Sequence, residues 1–255
     1  MELNRIYNMD CLEGMKEIPD ESIDCIICDL PYGVLNRNNE SVKWDVVIPF
    51  DKLWEQYHRI CKLNAPVILF GSEPFSSMLR VSNLNEYGYD WIWKKQRPTN
   101  FYSVKYSPLK EHETISVFYR KKPTYNPQGV KPVHINSGRK AKSGNVYGKY
   151  DCRGYIQTTG NYPRSILAFN TDMDKDRIHP TQKPVDLLRY LIRTYSNPGD
   201  VILDNCMGSG TTAVAAVLEN RKFIGFETNK EYFDKANARL KQLTGPFYIY
   251  GNIGI

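Results

Sequence analysis

Two short stretches of the chain hold residues whose types and spacing could do chemistry. The first is Asp29-Leu30-Pro31-Tyr32-Gly33, which directly follows the apolar run SIDCIIC at 22–28. That run reads as a short buried strand. Pro31 and Gly33 fix a turn just past its carboxyl end, where α/β sheets place their ligands. A carboxylate, rigid backbone carbonyls and an aromatic face therefore crowd one spot. Such a set can accept N–H hydrogen bonds and stack on a flat ring. Taken alone, an acid-Pro-Tyr turn is also an ordinary structural device.

The second stretch is V-I-L-D-N-C-M-G-S-G-T-T, with Asp204 at the end of a buried strand and Gly208-Ser209-Gly210 turning into a helix. Glycines there let a ligand approach the backbone and leave the helix N-terminus open to meet it. A further strand, F-I-G-F, ends in Glu227, seventeen residues after Gly210. A Rossmann-like βαβ unit places a carboxylate there to bind ribose hydroxyls. This half reads as an adenosine-binding unit. It lacks the third glycine of a dinucleotide fingerprint, which weighs against NAD.

These loops need elements to hold them. Apolar spacing predicts a helix over 51–62, a strand from Ala65 to Phe70 closed by Gly71, and strands at Tyr89–Trp93 and Thr114–Tyr119. From Asn126 to about Arg177 the periodicity fades into a polar, glycine-punctuated stretch, read as a loop-rich insert. Patterning returns with a helix around Leu187–Ile192, a strand Val201–Leu203, a helix near Thr212–Asn220, a strand Phe223–Phe226 and a helix Lys230–Leu243. Strands alternating with helices argue an α/β fold with a mostly parallel central sheet covered on both faces. The expected division is 1–125, an insert at 126–177, and 178–255.

Composition narrows the function classes. The chain has 255 residues, 41% hydrophobic and 24% charged, an ordinary soluble balance. No apolar run approaches the roughly 18–20 residues of a bilayer span, and Met1–Asp10 is not a secretory signal. Six cysteines in such a chain suggest free thiols and a cytoplasmic location. Cys25-Ile-Ile-Cys28 has zinc-like spacing. It falls on a predicted strand whose residues three apart face opposite sides, and no second pair completes it, so no metal is expected. The net charge of +6 is uneven: residues 91–150 carry +11 and the rest −5. In that window Lys94, Lys95, Arg97, Lys105, Arg120, Lys121, Lys122, Arg139, Lys140 and Lys142 alternate with aromatics such as Trp91, Phe101, Tyr102 and Tyr106. Basic side chains neutralise phosphates and rings stack on bases, so the window is the candidate nucleic-acid surface.

Here a resemblance enters. D-L-P-Y resembles the D/N/S-P-P-Y motif of amino-group DNA methyltransferases, and D-N-C-M-G-S-G-T-T resembles their cofactor motif. His179-Pro180-Thr181-Gln182-Lys183-Pro184 is similar to the family segment closing over the methionine end of the cofactor. N-M-D-C-L-E-G-M, with Asp10 and Cys11, resembles the segment that reaches its adenine. The P-Y motif precedes the cofactor motif, an order resembling the β group of these enzymes. Two departures stand out: Leu30 replaces the first proline, and Asn205-Cys206 replace the common Pro-Phe.

The resemblance implies a Rossmann-like methyltransferase fold with a target-recognition insert. It implies methyl transfer from S-adenosylmethionine to adenine N6, on double-stranded DNA with the base flipped out. Asp29, Leu30, Pro31 and Tyr32 would be catalytic. Asp10, Cys11, Asp29, Thr181, Gln182, Lys183, Asp204, Met207, Gly208, Ser209, Gly210, Thr211, Thr212 and Glu227 would hold the cofactor. Cytosine N4 as target, and a DNA-binding protein without turnover, stay open as alternatives. A homodimer is implied by resemblance only, and a paired restriction nuclease is not written in these residues.

Overall fold

A computed structural model describes residues 1–34, 45–137, 155–170 and 182–244. Its contacts divide the chain into two compact units: Met1–Asn126 together with the chain from Ser165 onward, and Pro127–Arg164.

In the larger unit the strands are β1 (Arg5–Tyr7), β2 (Cys25–Cys28), β3 (Val67–Gly71), β4 (Tyr87–Thr99) and β5 (Lys110–Phe118). In the smaller unit β6 (Lys131–Ser137) and β7 (Tyr155–Gly160) pair antiparallel. The larger unit continues with β8 (Ile166–Ala168), β9 (Val201–Asp204) and β10 (Lys222–Phe226). Its helices are α1 (Cys11–Lys16), α2 (Phe50–Ile60), α3 (Phe75–Ser82), α4 (Val185–Tyr195), α5 (Thr211–Leu218) and α6 (Lys230–Thr244).

The main sheet runs β1-β10-β9-β2-β3-β5-β4-β8. The pairs from β1 through β3 are parallel, β5 is antiparallel to both neighbours, and β4 pairs with β8 in parallel. The mostly parallel sheet is the one the alternating pattern predicts. β2 and β3 are buried at every position, as expected of strands covered on both faces. One apolar cluster joins α4, α5 and α6 to one face through Leu187, Leu191, Ala213 and Ala236. The other joins α1, α2 and α3 through Met15, Leu53, Tyr57 and Leu79. Cys25 packs in the first cluster and Cys28 in the second, so the two thiols point to opposite faces.

Several elements escape the sequence pattern. α1 is too short for a hydrophobic period to show; it starts where the Asp10 carboxylate accepts from the backbone N–H groups of Leu12 and Glu13. α3 carries only eight residues. The stretch read as loop-rich contains β6, β7 and β8, and β8 joins the main sheet beside β4. No helix among the described residues is long and apolar enough to cross a membrane.

Strand order reverses between β9 and β2: the chain leaves β9 for β10 on one side, and leaves β2 for β3 on the other. In doubly wound sheets the crevice at the carboxyl ends of such a pair is where ligands bind.

Candidate active site

β2 delivers the D-L-P-Y turn to this crevice and β9 delivers the glycine turn, because Cys25 pairs with Ile202 and Ile26 with Leu203. One cavity of about 400 Å³ joins them, lined by Asp29, Leu30, Pro31, Tyr32, Asp204 and Glu227 among others. Small-molecule sites commonly measure about 300–1,000 Å³. Of the expected cofactor residues, Asp10, Cys11, Gln182, Lys183, Met207, Gly208, Ser209, Thr211 and Thr212 also line it. Gly210 stands just behind, capping α5 in the left-handed conformation. Thr181 lies outside the described residues, as do Arg139, Lys140 and Lys142.

Glu227 and Asp204 are fixed by backbone N–H groups. Glu227 accepts from the Gly208 N–H at 2.8 Å and the Asn229 N–H at 2.7 Å, which ties the end of β10 to the glycine turn. Burial raises its carboxyl above the ordinary range, against the pull of those hydrogen bonds. Asp204 is almost wholly buried and accepts from the Cys206 N–H at 3.0 Å. Burial pushes its carboxyl up to about 6, opposed by a hydrogen bond from Thr212. Asn205, which stands where the common motif has proline, accepts at 2.5 Å from the buried hydroxyl of Tyr57 on α2. The departure from Pro-Phe is thus a polar tie between the glycine turn and the opposite helical layer.

The D-L-P-Y turn is clamped from outside by Asp45, whose carboxylate accepts from the Gly33 N–H at 3.0 Å and the Val34 N–H at 2.8 Å. Tyr32 stacks on Phe75, with ring centroids 4.9 Å apart, and donates its hydroxyl to Asp29 Oδ1 at 2.6 Å. The Lys183 ammonium donates to the other oxygen, Asp29 Oδ2. Lys183 also lies 3.3 Å from Glu113 Oε2, and Lys95 lies 2.5 Å from Glu113 Oε1. Three side chains of this group are buried to a similar depth, at 8%, 12% and 13% exposure for Lys183, Glu113 and Lys95, while Asp29 keeps 27%.

Glu113 was not among the expected site residues. It stands just before the strand expected from Thr114, and nothing in the spacing announces that it will face a lysine seventy residues later. The cross-strand pairing Trp93↔Glu113 brings it to the crevice. Burial raises the Asp29 carboxyl above the ordinary range; the Lys183 ammonium opposes the rise and the Glu113 charge adds to it. Glu113 is held low in spite of burial by Lys183 and Lys95. Lys183 is held above the ordinary lysine range, because Asp29 and Glu113 outweigh the cost of burying its charge.

The basic window is not brought to one place. β5 runs opposite to β3, so its start meets the carboxyl end of β3, where Gly71 pairs with Thr114. The hairpin joining β4 to β5 therefore extends past the rim that carries Asp29. Lys94, Lys95, Arg97 and Lys105 belong to it, and its tip leaves Tyr102 and Tyr106 almost fully exposed. Arg120 follows the far end of β5, where Phe118 pairs with Val67, and donates to the Cys61 and Lys62 carbonyls. Arg120, and with it Lys121 and Lys122, sits at the opposite end of the sheet from Asp29.

A family model described as DNA methylase matches residues 23–238. The chain is 31% identical over 94% of its length to the type II methyltransferase M.HinfI of Haemophilus influenzae, covering 69% of that protein. It is 30% identical over 94% of its length to the DNA adenine methyltransferase YhdJ of Escherichia coli K12, covering 83% of it. The fold matches the crystal structure of the M1.HpyAVI–SAM complex with a TM-score of 0.62 at 24% identity, over 92% of this chain and 98% of that one. It also matches the cytosine-N4-specific PvuII DNA methyltransferase with a TM-score of 0.64 at 18% identity, over 92% and 85%.

Proposed function

The chain belongs to the DNA methylase family, and from that premise we propose that it methylates the exocyclic N6 amine of an adenine swung out of duplex DNA, with S-adenosylmethionine as donor. The observation that carries this reading is the single cavity shared by the Asp29 turn and the glycine turn. The cavity fits the donor chemically: its walls are largely apolar, and Asp10, Asp204 and Glu227 offer carboxylates to a ligand bearing positive charge and ribose hydroxyls. When bound, the donor supplies a methyl group activated by its sulfonium.

The chain's own residues supply position. An adenine amine is a weak nucleophile because its lone pair is delocalised into the ring. The Asp29 carboxylate and a carbonyl of Leu30 or Pro31 each accept one amine N–H, which draws the nitrogen towards tetrahedral geometry and localises the pair. Attack then needs alignment and electrostatics rather than a covalent intermediate. Asp29 is also the nearest base for the proton the amine sheds. An ionised carboxylate has about four lone-pair sites, so Asp29 can take the amine while Tyr32 or Lys183 stays in place.

Duplex DNA must deliver that base, and extrusion costs a few kcal/mol. The hairpin beyond the rim, with Lys94, Arg97, Lys105 and the bare rings of Tyr102 and Tyr106, is the surface suited to phosphates and unstacked bases. The unit 127–164 is the candidate target reader. Adenine is favoured over cytosine N4 by the Asp at position 29 and by the likeness to YhdJ. Labelled-methyl transfer to duplex DNA, followed by modified-base sequencing of DNA from expressing cells, tests the reading. Label on adenine N6 is expected. Label on cytosine N4 moves the enzyme to the alternative, and DNA binding without label rejects catalysis.

A further inference from the structure

The least expected feature of the site is one buried ammonium between two carboxylates. Lys183 precedes α4, Asp29 follows β2, and Glu113 lies on β5, so three separate parts of the fold converge on one cation. Burying charge of this kind is unfavourable unless each member is paired, and removing one partner strands another. Glu113 Oε2 is buried and meets the Lys183 ammonium at 3.3 Å. Packing alone would be served better by apolar side chains.

We propose that Lys183 is a positioning residue that keeps Asp29 ionised, and so able to accept the amine N–H, while Glu113, anchored by Lys95, limits how tightly Lys183 grips Asp29. The proposal rests on the methyltransferase reading of the site and goes further, assigning a task to two charged groups that lie outside the D-L-P-Y and glycine turns. A protonated Asp29 would donate where it must accept. The groups facing Asp29 are Tyr32 on its own turn, Cys28 at the end of β2, Lys183 before α4, Glu113 on β5 backed by Lys95 on β4, and Asp204 at the end of β9. Of these only Lys183 is a cation in contact with the carboxylate. Without it, Asp29 and Glu113 would be two buried carboxylates side by side, and one would hold a proton at neutral pH. Without the Glu113 charge, Lys183 would bond Asp29 alone and compete with the incoming amine.

The two removals have opposite signs, which a purely structural role does not produce. Lys183→Met should raise the acid limb of the single-turnover rate by about one to three pH units, the usual effect of an adjacent opposite charge. Activity should return as pH rises. Glu113→Gln should move the same limb down, with a lower maximal rate on its plateau. The Asp29 carboxyl, titrated directly by carbon-13 NMR in the protein without DNA, should shift in the same two directions. That titration separates the two ideas: it tests the charge arrangement even if wild-type protein transfers no methyl to any DNA. Limbs and carboxyl values that stay at wild type, or move the same way in both variants, overturn the proposal. Melting curves check folding. If Lys183→Met does not fold, Glu113→Gln decides, and an unshifted Asp29 titration there is enough to reject it.

Discussion

Asp29 and Asp204 end neighbouring parallel strands, although 175 residues of chain separate them. Each carboxylate reaches the shared cavity from the tip of its own strand, one beside a proline-tyrosine turn and the other beside a glycine turn. The first faces the place proposed for an incoming amine. The second belongs to the wall proposed for the methyl donor. A site divided this way should lose its two functions separately.

Asp29→Ala should lower the rate of methyl transfer by at least about a hundredfold, the usual scale for a group that handles a proton in the transition state. Donor affinity, followed by calorimetry, should change only a few-fold. A variant that turns over at the wild-type rate would remove Asp29 from the chemistry.

Asp204 gives a pH-dependent prediction. Its carboxyl is raised from the ordinary 3.8 to about 6, so the folded protein favours its neutral form. A raised value contributes stability below the unfolded value, and that contribution disappears as pH climbs through the folded one. The difference corresponds to about 3 kcal/mol. In Asp204→Asn this loss is absent. Its stability advantage over wild type should therefore grow between about pH 4 and pH 7 and stay flat above, while its donor affinity falls. Urea unfolding across that range measures it, and a pH-independent gap would contradict the buried charge.

Gly210 and Gly208 separate fold from ligand. Gly210 has φ of +76°, and a Cβ there would stand 2.9 Å from the Cβ of Ala236 on α6. Gly210→Ala should cost about 2–4 kcal/mol through strain and overpacking. At Gly208, with φ +52°, a Cβ would meet nothing nearer than the Cys206 carbonyl oxygen at 4.0 Å, an ordinary contact. Gly208→Asn keeps a residue that tolerates this backbone, so it should melt near wild type yet raise the donor Kd. Equal melting losses in both would place the two glycines in the same structural role.

The parts of this arrangement legible from sequence are those with local causes. The buried runs at Ile23–Cys28 and Val201–Asp204 announce strands by composition, and the Pro31-Gly33 and Gly208-Gly210 turns announce their own geometry. The Asp29–Lys183–Glu113 group has no local cause. It depends on β5 running against β3, which presents Glu113 rather than a neighbour at the rim. Likewise the charges of 91–150 read as one patch in sequence, but hairpin reversal sends Lys105 and Arg120 to opposite ends of β5. The strands β6, β7 and β8 escaped because β6 and β7 carry polar residues such as Asn136 and Thr158 without clear alternation, and β8 has three residues.

That reversal yields the last prediction. From charge alone, neutralising Arg120, Lys121 and Lys122 would be expected to reduce the salt dependence of DNA binding. The geometry points elsewhere: the Arg120 guanidinium is occupied by the Cys61 and Lys62 carbonyls, away from the rim. Replacing Lys94, Arg97 and Lys105 with glutamine should reduce the magnitude of the log–log salt slope by up to about 0.9 for each phosphate that is no longer neutralised. The Arg120, Lys121 and Lys122 triple variant should keep the wild-type slope. Tyr102→Ala should weaken binding by about 1–3 kcal/mol, the worth of one stacked base, at nearly unchanged slope, since a ring carries no counterions. Fluorescence anisotropy at several salt concentrations reads both quantities. A reduced slope in the Arg120 set with an unchanged one in the hairpin set would put the duplex on the other end of the sheet, away from Asp29.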